Sequence, residues 1–457
     1  MSWFQWGGRS FAGGVHPPDQ KALSQDCPLT DMPDPPLLLV PVVQHLGRPA
    51  VVKVAKGQWV RQGEVLAEAA GPVSALVRAP RAGQVTAVES GSTASGFPGQ
   101  LILVKPGLPE DPVEAARLGE PVTLEPLDPL RATPAQVVER VRDAGLVGQG
   151  GAAFPTAVKL TPPEGHAVEF LLINGCECEP YLTRDHRLML ERPGPLLEGA
   201  RLLARTVGAT RVVVGVEDNK PEALEALRKA LGAASEGIPV EILPVRTKYP
   251  QGAEKMLVEA VTGRVVPPGS LPLHVGCVVQ NVGTAIAVWE AVAEGRVQTD
   301  AILTVSGRGV LRPANVRVPV GTPVAEVLDF CGGLTADVER VVVGGPMMGV
   351  AQHDLASPVV KACSGILALT GAELGPQLEP GQCLRCARCV EACPVHLVPS
   401  RLARLGEKGR VEEARDQGIE VCMECGTCAF ACPAGLPLVQ WLRLAKQQVR
   451  ELSRRAS

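Results

Sequence analysis

The sequence predicts a multidomain chain that mixes α/β and α+β units, and three observations carry that prediction. Short valine-rich segments broken by glycine turns fill the stretch from residue 37 to about 105. Apolar strands and amphipathic helices then alternate up to about residue 298, the signature of a layered α/β domain. Near the end, eight of the fourteen cysteines crowd into two copies of one tight pattern. At 457 residues the chain has room for three or four domains of ordinary size, each able to bury a core.

Bulk composition removes several function classes. A net charge of −3 offers no basic field for nucleic acid, and 3% aromatic content gives little for base stacking. No stretch reaches the roughly 18 uninterrupted apolar residues of a membrane-spanning helix. The longest candidate, Leu37 to Val43, is short and broken by Pro41. MSWFQWGGRS has neither the charged nor the apolar region of a signal peptide, and cysteine-rich clusters without an export signal point to the cytoplasm.

Residues 1–36 are rich in proline and glycine and include GGVHPPDQK (Gly13–Lys21), which reads as an arm laid over another domain. Trp3, Phe4, Trp6 and Phe11 argue against a free tail, since such side chains seek burial. Residues 37–130 read as a β module and a proline-rich linker. VVKVAKGQWVRQGEVLAEA followed by VRAPRAGQVTAVE resembles the barrel-sandwich hybrid of biotinyl and lipoyl domains. Carrier domains of that fold hold a lysine at the tip of the central hairpin. The tip here is Gly71, Pro72, Val73 and Ser74, so the module is expected to serve structure or docking.

Residues 131–298 form the α/β unit. Thr133 is a candidate N-cap and Pro134 a first-turn proline for the helix PAQVVERVRDAG. In GLVGQGGAAFPTAVKL (Gly145–Leu160), Gly148, Gly150 and Gly151 permit close backbone approach and offer N–H donors to an anion, and Lys159 can add its charge. A helix precedes this loop where a Rossmann turn needs a strand. The strand FLLIN runs into Asn174-Gly175-Cys176-Glu177-Cys178-Glu179-Pro180-Tyr181, and the C-terminal edge of a strand is where α/β sheets bind ligands. KYPQGAEKM (Lys248–Met256) and VVQNVGTA (Val278–Ala285), with Asn281 and Thr284, supply two further loops of that kind. Glu217 and Asp218 end another strand and read as a ribose contact or a solvated turn. Cys176 and Cys178 stand in C-x-C spacing, which leaves a redox pair open.

Residues 299–370 contain the strands AILTVSG, NVRVPVG and ERVVVGGP around the helix PVAEVLDFCGG, a small α+β unit. Residues 371–457 open with a low-complexity linker to Gly381 and then carry the cysteines. Cys383, Cys386, Cys389 and Cys393 precede Pro394; Cys422, Cys425, Cys428 and Cys432 precede Pro433. Each run is C-x2-C-x2-C-x3-C-P, whose first three thiolates hold three irons of a [4Fe–4S] cube and whose fourth serves the other cluster in two-cluster ferredoxins. One cluster then takes Cys383, Cys386, Cys389 and Cys432, and the other Cys422, Cys425, Cys428 and Cys393. Zinc would leave half of these ligands unexplained, and a disulfide framework belongs to small secreted chains. RLARLGEKGRVEEARDQG between the runs reads as helix, giving a helical ferredoxin module, and LRLAKQQVRELSRR as an exposed basic helix facing partners.

The four loops, in this order, resemble the flavin subunit of respiratory complex I. The chain as a whole resembles the RnfC component of Rnf-type electron transport complexes, through GGVHPP, the lipoyl-like module, GQGGAAFPT, INGCECEPYLTRDHRLM, KYPQGAEK, GGPMMG and the paired cysteine runs. The resemblance implies a β-grasp ligand-binding (SLBB-like) fold for the α+β unit. It also implies FMN held noncovalently around Gly148, Gly150, Gly151 and Lys159, with Asn174, Glu177, Glu179, Asn281 and Thr284 on the isoalloxazine or the ribityl phosphate. NADH would stack on the flavin, with Phe154 near the nicotinamide and Glu254 near a ribose. Ala153 stands where the family usually has glycine, and Cys176 where it has alanine.

The function so implied is a peripheral electron-input subunit on the cytoplasmic face of the bacterial inner membrane. It passes electrons between NADH, FMN and two [4Fe–4S] clusters, and through the membrane subunits of the complex to ferredoxin. The cofactors carry that chemistry, so no acid–base catalytic side chain is expected. A stand-alone cobalamin reductase uses the same modules but places its ferredoxin motifs ahead of the ligand-binding domain. A flavin-free electron adaptor is the alternative from another class.

Overall fold

The computed structural model describes residues 9–232, 237–374 and 381–456; Trp3, Phe4, Trp6 and much of the linker ahead of Gly381 lie outside them. From Arg9 to Lys21 the arm is strapped onto the α/β domain. Arg246 N–H donates to the Arg9 carbonyl (3.0 Å), Val15 and Tyr249 exchange backbone hydrogen bonds (2.9 Å each), and Tyr181 N–H donates to the Asp19 carbonyl (2.7 Å). Phe11 is buried, with the Lys248 ammonium 4.5 Å from its ring centroid. Lys21 is buried too, and its ammonium donates to the carbonyls of Glu177, Glu179 and Leu182 at 2.9, 3.1 and 2.6 Å. The arm ends as a strand, Leu29–Asp31, parallel to Ala314–Pro319 at the edge of the β-grasp sheet.

The glycine-punctuated module folds into a four-stranded and a three-stranded sheet around a core that includes Leu38, Val60, Leu66 and Ile102. Its hairpin tip is hydrogen-bonded to a neighbouring loop of the same module, and that loop reaches the α/β domain. Arg48 N–H donates to the Val73 carbonyl (3.0 Å), Ser74 Oγ to the Arg48 carbonyl (3.0 Å), and Leu46 N–H to the Ala153 carbonyl (3.1 Å). The buried Lys361 ammonium ties Leu76 to Gly145 by donating to both carbonyls, at 2.7 and 2.8 Å. The loop at Leu46, held by the tip, and Leu76 just after the tip thus brace the glycine loop of the α/β domain. The linker beyond it is partly helical, with Asp111 capping Pro112–Gly119.

The α/β domain is a four-stranded parallel sheet. Phe170–Gly175 lies between Arg211–Glu217 and Cys277–Asn281, and Val240–Val245 pairs with the outer side of Arg211–Glu217. Thr133 caps Pro134–Asp143 in a full capping box with Gln136. Gly199 lets helix Pro193–Val207 meet helix Val282–Ala293, since a Cβ there would lie 2.0 Å from the Ala285 carbonyl oxygen. The β-grasp sheet has six strands, more than the sequence pattern suggested. Gly365–Thr370 runs through its middle, buried on both faces; an apolar run of that kind shows no alternation to reveal it.

In the terminal module, Pro399–Glu407 and Val411–Asp416 are separate helices divided at Gly409 (φ +65°). The C-terminal helix Leu438–Ala456 corrects the expectation of an exposed helix. Leu438, Leu442, Ala445 and Val449, spaced at three and four residues, are buried against Leu402, Leu405 and Ile419. Among the described residues no helix is long and apolar enough to cross a membrane.

Candidate functional site

The glycine loop, the strand-end segment 174–181 and the loops after the other strands gather at the C-terminal edge of the parallel sheet. Gly148 N–H donates to the Phe154 carbonyl (2.8 Å), closing the glycine loop, and Gln149 N–H donates to Thr284 Oγ1 (3.0 Å). Asn281 caps its helix by accepting from Gly283 N–H (2.8 Å), and its amide donates to Asp185 (2.6 Å). Asn174 donates to the Gly252 carbonyl (2.7 Å), which links the strand end to the KYPQG loop. Lys159 pairs with Glu254 and donates to the Val279 carbonyl (3.2 Å). The structure therefore brings Gly148, Gly150, Gly151, Phe154, Lys159, Asn174, Glu254, Asn281 and Thr284 to one edge.

Two carboxylates are committed elsewhere. Both oxygens of Glu177 accept from the start of helix Arg184–Glu191, at Asp185 N–H (2.6 Å) and His186 N–H (3.2 Å). Glu179 crosses to the β-grasp domain and accepts from Met347 N–H and Met348 N–H at 3.0 Å each. Burial pushes its carboxyl up to about 7 against the pull of those donors and of Lys21. Glu217 is neither a ribose contact nor a solvated turn. It is buried and paired with the buried Lys220 at 3.3 Å, while Asp218 accepts from Thr247. Cys176 and Cys178 are free thiols; Cys176 packs in the core and Cys178 Sγ accepts from Gly252 N–H (3.3 Å).

Sequence reasoning missed the buried charges beneath this edge. Arg184 pairs with Asp185 at 3.0 Å and donates to the carbonyls of Gln149, Ile302 and Cys363, which fixes the glycine loop against the β-grasp sheet. Burial raises the Asp185 carboxyl even beside that arginine. Backbone strain gathers at the same place. Ala153 (φ +50°), Glu177 (+49°) and Tyr181 (+67°) all hold left-handed conformations, which concentrate at functional loops.

This edge keeps open space and spare N–H donors of the kind a bound cofactor would use. A Cβ added at Gly151 would meet nothing within 4 Å, so the loop leaves open space there. Gln251, in the KYPQG loop, and Gln280, near the end of strand Cys277–Asn281, each hold a buried amide nitrogen without a protein partner. The cysteines separate into two cavities. One is lined by Cys393, Cys422, Cys425 and Cys428, the other by Cys383, Cys386, Cys389 and Cys432. Arg385 and Ala387 flank the second cysteine of one run in left-handed conformation, and Glu424 and Gly426 do the same in the other, so the repeat is structural as well as sequential. Among the described residues no three His, Cys, Asp or Glu side chains are set to hold a lone metal ion. Burial raises the Cys422 thiol to about 11 and Cys428 to about 12. Iron would have to displace those protons, as a thiolate-bound cluster does.

Comparison with known proteins decides the family. Residues 9–106 match the RnfC barrel sandwich hybrid domain, 141–290 the Nuo51 FMN-binding domain, 302–351 the SLBB domain and 375–434 a 4Fe-4S dicluster domain. The C subunit of the ion-translocating oxidoreductase complex of Rhodobacter capsulatus is 43% identical over 97% of this chain and 83% of the relative. The chain belongs to the RnfC family. Other members are the C subunit of the proton-translocating ferredoxin:NAD(+) oxidoreductase complex of Clostridium ljungdahlii (40% identical, 90% of this chain, 87% of the relative) and its Na(+)-translocating counterpart in Acetobacterium woodii (39%, 96% and 97%). A protein chain of an air-oxidized NAD+-reducing [NiFe]-hydrogenase shares the fold, with TM-score 0.51 and 22% identity over 70% of this chain and 62% of its own. As a member of the RnfC family, the protein has an FMN-binding domain and a dicluster [4Fe–4S] domain, and is part of an oxidoreductase complex.

Proposed function

We propose that this chain is the electron-input subunit of an ion-translocating ferredoxin:NAD oxidoreductase, bound peripherally at the cytoplasmic face of the membrane through partner subunits. FMN, when bound, supplies the exchange between two-electron hydride chemistry with NADH and one-electron transfer to the clusters. The protein's part is placement. Gly148, Gly150, Gly151 and Lys159 would cradle the flavin, with Asn174, Asn281 and Thr284 orienting it, Phe154 and Glu254 on the NADH side, and Glu177 and Glu179 stiffening the loop from behind. The reading divides the chain into an arm to residue 36, a barrel-sandwich module and linker to 130, a flavin domain to 298, a β-grasp domain to 370 and the cluster domain beyond.

The observation that carries this reading is the direct contact between the flavin-domain edge and one cysteine cavity, through Tyr249 and Cys425. The test is anaerobic purification with iron, sulfide and flavin quantitation, followed by NADH titration watched by absorbance and EPR. Stoichiometric flavin with two NADH-reducible clusters is expected. Absence of flavin, or clusters that NADH leaves oxidised, would overturn it.

A further inference from the structure

Four parts of the chain converge on the cavity lined by Cys393, Cys422, Cys425 and Cys428, and the GGVHPP arm is at the centre of them. Gly14 N–H donates to the Ala392 carbonyl in the cluster domain (3.0 Å), while the next residue, Val15, exchanges both of its backbone hydrogen bonds with Tyr249 in the flavin domain. From that same Tyr249 the phenol reaches forward and donates to the Cys425 carbonyl (2.7 Å). Gly13 (φ +77°) leaves no room for a side chain, because a Cβ would fall 2.9 Å from the Cys393 carbonyl oxygen. Gly14 (φ +79°) is as tight, with a Cβ 2.6 Å from the Tyr249 carbonyl oxygen. On the far side, the β-grasp loop closes over Gly426, where a Cβ would lie 2.9 Å from the Met347 carbonyl oxygen.

We propose that Gly13, Gly14 and Tyr249 form a clamp that positions the cluster of Cys393, Cys422, Cys425 and Cys428 against the flavin domain and so sets the rate of electron transfer between them. This rests on the functional reading above. In the step concerned, the reduced flavin would lose one electron and the oxidised cluster gain one, with no covalent bond between them; the flavin's N–H proton passes to solvent when its second electron leaves. The two glycines act through backbone alone: their missing side chains allow one strand of arm to touch the cluster domain on one edge and Tyr249 on the other. The positive φ at both positions is open to glycine and strained for other residues. The residues are positioning residues; none is asked to touch the flavin.

The test compares the parent chain with Gly14→Val and Tyr249→Phe, and uses Gly57→Ala as a control. Gly57 also has positive φ (+91°), but a Cβ there meets nothing within 4 Å. Cluster reduction is followed by stopped-flow absorbance and rapid-freeze EPR, started either by NADH or by photoreduction of the flavin. Limited proteolysis of the arm gives a readout independent of electron transfer. Gly14→Val is expected to release the arm to protease and slow flavin-to-cluster transfer several-fold, because the tunnelling rate falls exponentially with the distance between donor and acceptor. Tyr249→Phe, which removes one oxygen, is expected to slow transfer by a smaller factor with the arm still protected. Flavin reduction, iron content and the Gly57→Ala chain should match the parent. Unchanged transfer in both variants overturns the clamp. A parent whose clusters fill on photoreduction but not with NADH overturns the choice of donor and leaves the clamp judged by the photoreduction arm.

Discussion

The carboxylate of Glu179 accepts the N–H of Met347 at 3.0 Å, so a side chain from the flavin-domain loop is seated in the backbone of the β-grasp domain. The contact is tight enough that Gly345 must be glycine, as a Cβ there would lie 2.3 Å from a Glu179 oxygen. The carboxyl is held near 7, above its unfolded value of 4.5, chiefly by burial. The folded state therefore binds more protons between those two values, and stability falls as pH rises through that window. Urea unfolding should show a loss on the order of 2 kcal/mol between pH 5 and 7 from this group. Glu179→Gln should flatten that part of the profile; an unchanged slope would refute the assignment.

Lys361 predicts the opposite slope. Burial, with Arg78 nearby, lowers its ammonium from 10.5 to about 7. The unfolded chain binds the extra proton between those values, so stability rises with pH across them and the penalty is fully present below 7. A neutral amine keeps two N–H donors, enough for the Leu76 and Gly145 carbonyls. Unfolding at pH 9 should require on the order of 2 kcal/mol more than at pH 7, and Lys361→Met should abolish that difference.

Ala153 carries a measurable strain. It sits at φ +50° with its carbonyl accepting from Leu46 in a loop of the barrel-sandwich module. The left-handed region costs a non-glycine residue about 1–2 kcal/mol, part of which glycine returns as chain entropy. Ala153→Gly should raise stability by about 0.5–1 kcal/mol in denaturant titrations and retain flavin at least as well as the parent. A loss of stability would show that the alanine methyl contributes packing in the loop.

What the sequence made legible and what it hid divide along local and tertiary lines. Thr133 could be read as a cap because its signal, with Pro134 beside it, is local; Gln136 completes the capping box in the structure. The paired cysteine runs and the barrel-sandwich turns were legible for the same reason, whereas the glycine loop became a flavin loop only through the resemblance of four separated loops, in order, to a known family. Lys21, Arg184, Glu217 and Lys220 were not, because a charged residue in an arm or at a strand end looks solvated until distant segments close over it. Gly365–Thr370 escaped because a strand buried on both faces has no period to read. In the C-terminal helix the basic residues mask the buried stripe of Leu438, Leu442, Ala445 and Val449, whose partners lie in distant helices.

Cys432 lines the cavity of the first cysteine run and Cys393 that of the second, so each fourth cysteine stands with the other triplet. The prolines that follow them end the local helical turns and send the chain across the module. Cys432→Ser should therefore give the EPR phenotype of Cys386→Ser, and Cys393→Ser that of Cys425→Ser. The two cavities also differ in setting. Cys383 and Cys386 are exposed, whereas Cys425 and Cys428 are buried, with the Tyr249 phenol on the Cys425 carbonyl. Loss of the buried cluster should leave the surviving one slow to accept electrons from the flavin, while loss of the exposed cluster should leave the buried one reduced at the parent rate. Uncrossed ligation would pair Cys432→Ser with Cys425→Ser instead, and equal rates of reduction in the two single-cluster chains would contradict the order.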